Sequence, residues 1–359
     1  MLNSPGTAGA TDVPHFSSLA EARRAAVDLE TEGRHLEAIR VLTEANRSDP
    51  RLGVERELVK LRQRAMVANN SSGFAEWPPR IDGPLAPSGT LPEVDAAELS
   101  ADVVRRGIIG NGAVMVRNLL DSAKIGELNA GIDRALAAFQ SWQPKTKGTA
   151  EQERYFKPVR PVDPDDWEAK HLRKDRQFLR ETKSVWTADS PKMLFEVLDT
   201  FEQTGVLSVI EQYLGERPAA SIKKLTLRIV DPDQIADWHQ DGAFLGEGIR
   251  SVNLWVALTD CGVDAPGMDL IPRRLDDIVE TGSGGAIFDW TVGPELIDEV
   301  AGDASVIRPV FRAGDAIMFD ERFLHRTAAD ADMTTPRYAI ESWFFAPSAY
   351  RENDIAILV

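Results

Sequence analysis

The chain carries one cysteine, Cys261, in 359 residues. A disulfide needs two thiols and a thiolate cluster needs more, so both are excluded, and any metal site must be built from histidine and carboxylate. Histidine is scarce as well: only His15, His35, His171, His239 and His325 are available. Positive charge is in deficit, with 41 Lys+Arg against 57 Asp+Glu and a formal charge of −16. That balance argues against nucleic acid as a partner, because phosphate contacts need clustered Lys and Arg. It equally disfavours an anionic membrane surface. No apolar run approaches the roughly 18 residues of a membrane span. The opening stretch, MLNSPGTAGATDVP, lacks the basic-then-apolar pattern of a signal peptide. The expectation is a cytoplasmic enzyme acting on a small molecule.

The length allows one large domain plus a small one. Residues 1–16, rich in Gly, Ser, Thr and Pro, read as a disordered tail. From Ser17 to Met66 the pattern is helical. Ser18 caps a first helix through Ala22, Ala25, Ala26 and Leu29, which Gly33 ends. A second carries Leu36, Ile39, Leu42 and Ala45 on one face and stops before Pro50; a third spans Gly53–Met66. The first two resemble a single tetratricopeptide repeat, with Ala26, Gly33, Ala38, Ile39, Leu42, Ala45 and Pro50 in register. About three repeats are needed to stack a solenoid, and no second copy follows. The favoured expectation for 17–66 is therefore a helical hairpin packed on its own catalytic domain. The alternative is a protein-partner or self-association surface.

Residues 67–95 are rich in Pro, Gly, Ser and Asn and read as a linker, followed by a domain over 96–359. Within that domain, helices are expected at about 96–106, 122–142 and 191–214, with a strand at Ala113–Val116. Residues 143–185, polar with several prolines, read as an irregular, lid-like insertion. Thereafter short β-type runs appear at Lys224–Val230, Arg250–Leu258, Met268–Ile271, Ser305–Val310, Ala316–Phe319 and Arg337–Phe345, separated by turn residues. Many short strands after a helical half imply an α+β fold with a β-sandwich or jelly roll and helices outside it.

The chemistry concentrates in this second half. In Trp238-His239-Gln240-Asp241-Gly242, residues i and i+2 of an extended segment project to one side, so His239 and Asp241 can reach one metal ion. His325, which follows a turn and the run Ala316–Phe319, is the candidate third ligand. Two histidines and a carboxylate on one face leave coordination positions open, the pattern of non-haem Fe(II) oxygenases. Twelve residues after His325 stands Arg337, whose fork-shaped guanidinium can hold a carboxylate through two parallel hydrogen bonds.

The segments WHQDG, SVNLWVALTD, GMDLIP, GDAIMFDERFLHRT and RYAIESWFF, in that order, resemble the phytanoyl-CoA dioxygenase family over roughly residues 95–350. The resemblance implies a double-stranded β-helix core (jelly roll, cupin-like) and Fe(II), 2-oxoglutarate and O2 as cofactor and co-substrates. It implies His239, Asp241 and His325 as iron ligands and Arg337 as the 2-oxoglutarate anchor. Thr327 matches a hydroxyl assisting the same carboxylate, and Trp255 an aromatic lining the co-substrate pocket. Asn253 shares the Trp255 face by alternation. The chain departs from the family pattern after GMDLIP, reading Arg273-Arg274-Leu275, which leaves the shape of that loop open.

Because Asp241 keeps the carboxylate that related halogenases lack, hydroxylation is expected over chlorination, with desaturation and epoxidation left open. Two other readings stand beside this one. One is a catalytically silent scaffold working through the N-terminal helices. The other is an HxD…H dioxygenase that does not use 2-oxoglutarate. Lys145, Lys147, Arg154, Lys157, Arg160, Arg173, Lys174 and Arg176, with Arg273 and Arg274, are read as a solvated charged face in preference to an anionic-substrate surface. Lys224 and Arg228 alternate onto one face of the strand entering WHQDG, and one of them is expected in the pocket.

Overall fold

The structure is a computed structural model and describes residues 16–71, 73, 76–159, 167–234, 236–246, 248–350 and 355–359. The expected tail (save Phe16) and residues 160–166 of the expected insertion, Arg160 among them, lie outside the described residues, as do the side chains of His171 and Arg173.

Three helices open the described chain: α1 (Leu19–Thr31), α2 (His35–Ser48) and α3 (Leu52–Val67). The Ser18 hydroxyl accepts from the Glu21 amide and caps α1, and Gly33 turns the chain at φ +77°, where a side chain would strain the backbone. Their small and branched residues, Ala22, Ala26, Ala38, Ile39, Leu42, Val54 and Leu61, are buried in one cluster that also takes in Leu358 and the half-buried Phe195.

The chain then runs β1 (Glu93–Asp95), α4 (Ala101–Asn111), β2 (Ala113–Arg117), α5 (Ser122–Ser141), α6 (Ala150–Tyr155), α7 (Trp167–Glu181) and β3 (Ser184–Trp186). Next come α8 (Pro191–Gln203), α9 (Val206–Leu214), β4 (Ala219–Val230), α10 (Gly242–Leu245), β5 (Ser251–Ala257) and β6 (Gly267–Leu270). The last elements are α11 (Ile297–Ala301), β7 (Ala316–Phe319), β8 (His325–Ala328), β9 (Arg337–Phe345) and β10 (Ala356–Leu358).

The larger sheet has the order β1-β2-β7-β5-β9-β4-β10, with β3 added on β4; β6 and β8 form the smaller one. Every pairing but β1–β2 is antiparallel. Alternation sorts the side chains. Val114, Leu227, Leu254, Met318, Ile340 and Phe344 point outward into a core shared with α4, α5, α8 and α9. Met115, Trp255, Ile317, Phe319, Trp343 and Phe345 point inward and share a second core with Met268 and Leu270 of the smaller sheet. Two antiparallel sheets facing each other under a helical layer are the double-stranded β-helix, an α+β fold. No helix among the described residues is long and apolar enough to cross a membrane.

Several elements differ from the sequence reading. The 191–214 helix is two, because Gly205 adopts φ +77° between them. The helix expected from Ala96 begins at Ala101, where the Ser100 hydroxyl caps it, while Asp95 and Glu98 close a capping box on a single 3-10 turn. Residues 305–310 hold only an isolated bridge, Ile307 to Leu270; Pro309 has no amide to donate to a ladder. The 143–185 segment is not irregular throughout but carries α6 and α7, with the Thr149 capping box starting α6 and Tyr155, Phe156 and Leu172 buried. Its few apolar residues and prolines hide that helicity in the sequence.

Candidate metal centre

β4 ends at Val230, and after a turn the chain returns as Asp237–Asp241 alongside the start of β8. His239 and His325 form an isolated antiparallel bridge, with Asp241 at the mouth of α10. One ligating atom from each of His239, Asp241 and His325 lies within 4.8 Å of the others; His325 Nε2 is 3.8 Å from Asp241 Oδ2.

The ring orientations are set by backbone. His239 Nδ1 lies 3.0 Å from the Asp237 carbonyl and His325 Nδ1 lies 3.1 Å from the Phe323 carbonyl. A carbonyl only accepts, so each Nδ1 carries the proton and each Nε2 keeps a free lone pair. That is the tautomer a metal needs, held by the outer hydrogen bond usual for metal-ligating imidazoles. Burial pushes the Asp241 carboxyl up, opposed by His239 and Lys224. Burial, with His239 adding, pushes His325 well down. A bound dication would favour the carboxylate of Asp241 and the neutral imidazole of His325. The donor set therefore fits a divalent metal of the facial-triad kind.

Around the triad the loops are pinned by two side chains flanking His239. Asp237 accepts from the amides of Trp238 and Ile287 and from the Thr291 hydroxyl. Gln240 donates to the carbonyls of Asp277 and Arg322 and accepts from the Val279 amide.

Arg337 opens β9 on the inward face and is 2% exposed. Its Nη1 donates to the carbonyls of Pro266 and Gly267, at 3.2 and 2.6 Å, and its guanidinium lies 5.2 Å from the Trp255 ring centre. No carboxylate pairs with it among the described residues, its Nε has no partner, and burial depresses it to about 10. A buried guanidinium held by carbonyls and a ring is suited to receive an anion. Asn253, opposite Phe319 and Trp343 in the sheet, is also buried, and its Oδ1 lacks a donor. Thr327 shares the His325 face of β8 by alternation, half-buried and opposite Met268.

Lys224 and Arg228 both face inward. Lys224 Nζ sits 3.7 Å above the Phe244 ring, and Arg228 pairs with Glu341 at 3.2 Å. Glu341 was not singled out in the sequence, although the alternation 337, 339, 341 places it on the Arg337 face. Phe288 and Trp290 on their loop, and Phe244 on the one-turn α10, carry no periodic signal that would mark them in the sequence. Trp290 stands edge-on to His239 with ring centres 5.9 Å apart.

The other basic residues lie elsewhere. Arg274 is in a largely buried ion pair with Asp320, Arg273 donates to the Ala301 carbonyl, Arg176 pairs with Asp189, and Arg154 with Glu55. Lys145, Lys147, Lys157 and Arg176 line a cavity of about 1260 Å³ in the helical layer that no triad residue borders.

No curated protein matches the chain. Among solved structures, similar ones include the non-haem α-ketoglutarate-dependent carbocyclase SnoK from nogalamycin biosynthesis, 17% identical, covering 74% of this chain and 99% of its own, with a TM-score of 0.45. EctD from S. alaskensis, solved with 2-oxoglutarate and 5-hydroxyectoine, is 14% identical over 77% of this chain and 87% of its own, TM-score 0.45. AviO1 from Streptomyces viridochromogenes Tue57 is 15% identical over 67% and 92%, TM-score 0.39. Likeness at this level identifies no reaction. A family model described as phytanoyl-CoA dioxygenase (PhyH) matches residues 110–331, a span that holds the whole triad and more than half of the sequence, and the chain belongs to that family.

Proposed function

We propose that the protein is an Fe(II)- and 2-oxoglutarate-dependent oxygenase that hydroxylates an unactivated C–H bond of a small molecule. The observation that supports this best is the pairing of two preorganised groups of side chains. His239, Asp241 and His325 converge with each imidazole Nδ1 held by a carbonyl, and Arg337 is buried with no carboxylate partner among the described residues. His239, Asp241 and His325 would hold the iron. Arg337, backed by the Trp255 ring, would bind the far carboxylate of 2-oxoglutarate, with Thr327 and Asn253 supplying a hydroxyl and an amide. When bound, the iron supplies O2 activation coupled to oxidative decarboxylation of 2-oxoglutarate to succinate and CO2.

The chain's own part is to keep the rings in one tautomer, exclude water with the inward apolar face, and aim a substrate C–H bond. The Asp241 carboxylate fills the place where a halogenase leaves room for chloride, which favours hydroxylation. The helices of 17–66 are read as a buttress of residues 96–359, because their core includes Leu358 and Phe195. The site reading is tested by adding Fe(II) and 2-oxoglutarate anaerobically and recording the visible spectrum. A weak band is expected only with both additions, and lost in His239→Ala and Arg337→Ala. Iron binding with no such band would overturn the 2-oxoglutarate assignment.

A further inference from the structure

The rim of the candidate metal centre carries an aromatic surface beyond the residues that would hold iron and 2-oxoglutarate. Ile287, Phe288 and Trp290 are 59%, 52% and 43% exposed on one loop, and adjoining exposed apolar side chains can form a binding surface. The loop is held firmly at its base. The Ile287 amide and the Thr291 hydroxyl both donate to Asp237, and Val292 bridges Trp238. Its rings are ordered: Phe288 and Trp290 lie parallel within 7°, with centres 5.5 Å apart. Trp290 meets Phe244 edge-on at 5.6 Å and His239 at 5.9 Å. The aromatic surface therefore reaches from solvent to a triad histidine.

At the inner end stands a cation. Lys224 is half-buried, lies over Phe244 at 3.7 Å, and has no carboxylate partner among the described residues. Its neighbour on the same face, Arg228, is neutralised by Glu341. Charge accounting of the assembled site, resting on the proposed function, leaves Lys224 over. A divalent metal, the Asp241 carboxylate, a doubly charged 2-oxoglutarate and Arg337 sum to zero, and the Arg228–Glu341 pair adds nothing. A half-buried ammonium over a ring favours a ligand that brings the missing negative charge.

We propose that the substrate is a planar, ring-containing compound bearing a carboxylate or similar anionic group. Its ring lies against Trp290, Phe288 and Phe244, and its anion meets Lys224. Offset stacking on fixed rings selects flat molecules, and the lysine selects charged ones.

The test is calorimetric titration of the full chain with three probes: 2-naphthoate, its neutral methyl ester, and decanoate, which has the charge without the planar ring. The metal-free protein and the Fe(II)- and 2-oxoglutarate-loaded protein under nitrogen are both titrated. For the loaded protein, 2-naphthoate is expected to bind at least about tenfold more tightly than either other probe. Lys224→Met is expected to abolish the preference for the acid over the ester, and Phe288→Ser the preference for 2-naphthoate over decanoate. Ester bound as tightly as acid overturns the anion assignment; decanoate bound as tightly as 2-naphthoate overturns the planar one; no binding of any probe overturns both. The visible band of the loaded protein reports separately on the oxygenase reading, so failure of one is distinguishable from failure of the other.

Discussion

His239 and His325 sit directly opposite each other and exchange both backbone hydrogen bonds, at 2.9 Å from His239 N to His325 O and 3.1 Å in return. Residues 86 apart in sequence are thereby fixed by main chain, with each ring then aimed by a carbonyl two residues upstream. The bridge survives when a side chain changes. His325→Ala is therefore expected to keep the fold, with a circular dichroism spectrum and melting temperature close to the parent. It should weaken metal binding by roughly a hundredfold or more, since even outer-shell partners of such ligands are worth 10–100-fold. Titration with Fe(II) or Co(II) checks it. Unchanged affinity would show that the metal, if any, sits elsewhere.

Arg337 leads to a prediction about ligand-linked stability. A buried guanidinium whose hydrogen bonds among the described residues go to the carbonyls of Pro266 and Gly267 gains most from a carboxylate. Adding 2-oxoglutarate with a redox-silent metal is expected to raise the melting temperature of the parent in a concentration-dependent way. In Arg337→Gln that rise should vanish up to roughly a hundredfold higher 2-oxoglutarate, the equivalent of about 2–3 kcal/mol for a charge-assisted bond. The metal-induced rise alone should persist. Equal responses in parent and variant would remove Arg337 from the co-substrate site.

Much of this site was legible in the sequence because its signal is local. The i, i+2 spacing of His239 and Asp241, the turn and strand before His325, and the alternation on β9 each depend on a few neighbouring residues. What escaped depends on packing between distant segments. Glu341 becomes part of the site through Arg228 on the neighbouring strand. Trp290 does so because Asp237, 53 residues earlier, draws its loop in through the Ile287 amide and the Thr291 hydroxyl. The short strands β3 and β10 have three residues each and exist only as additions to β4, so no periodicity announces them. The split of α8 from α9 at Gly205 could have been read from the glycine; the apolar spacing on both sides concealed it.

Glu321 gives a pH-dependent prediction. Its side chain is buried beside Asp320 and accepts from the Ser251 hydroxyl at 2.7 Å. Burial, followed by the Asp320 charge, pushes the carboxyl up to about 7. The folded state thus binds this proton more tightly than the unfolded chain does. The associated stability is fully present below the unfolded value near 4.5, and is lost as pH rises through 7. Glu321→Gln keeps an oxygen for Ser251 and cannot ionise. It is expected to stabilise the protein by about 3 kcal/mol at pH 8, an order-of-magnitude figure from that shift, with little effect at pH 5. Urea unfolding at the two pH values measures it. A gain equal at both would mean that ionisation of Glu321 is not the cause.

The N-terminal helices can be tested through one ion pair. The Glu55 side chain on α3 is fully buried, and Arg154 on α6 holds it with Nε and Nη2, the closest contact being 2.5 Å. Arg62 on α3 adds a bond to the Leu358 carbonyl at 3.0 Å. Removing Arg154 leaves a carboxylate buried without its counter-charge, a change that typically costs about 3–5 kcal/mol. If residues 17–66 are a buttress of the whole, Arg154→Ala should shift the single unfolding transition by about 3 kcal/mol. The tryptophan fluorescence, to which residues 17–66 contribute no tryptophan, should move together with the helical signal. Adding Glu55→Gln to that variant should recover part of the loss, because the stranded charge is gone. If the helices were a separate module docked for a partner, the variant would instead split the transition, melting the helical signal first and leaving the tryptophan signal where it was.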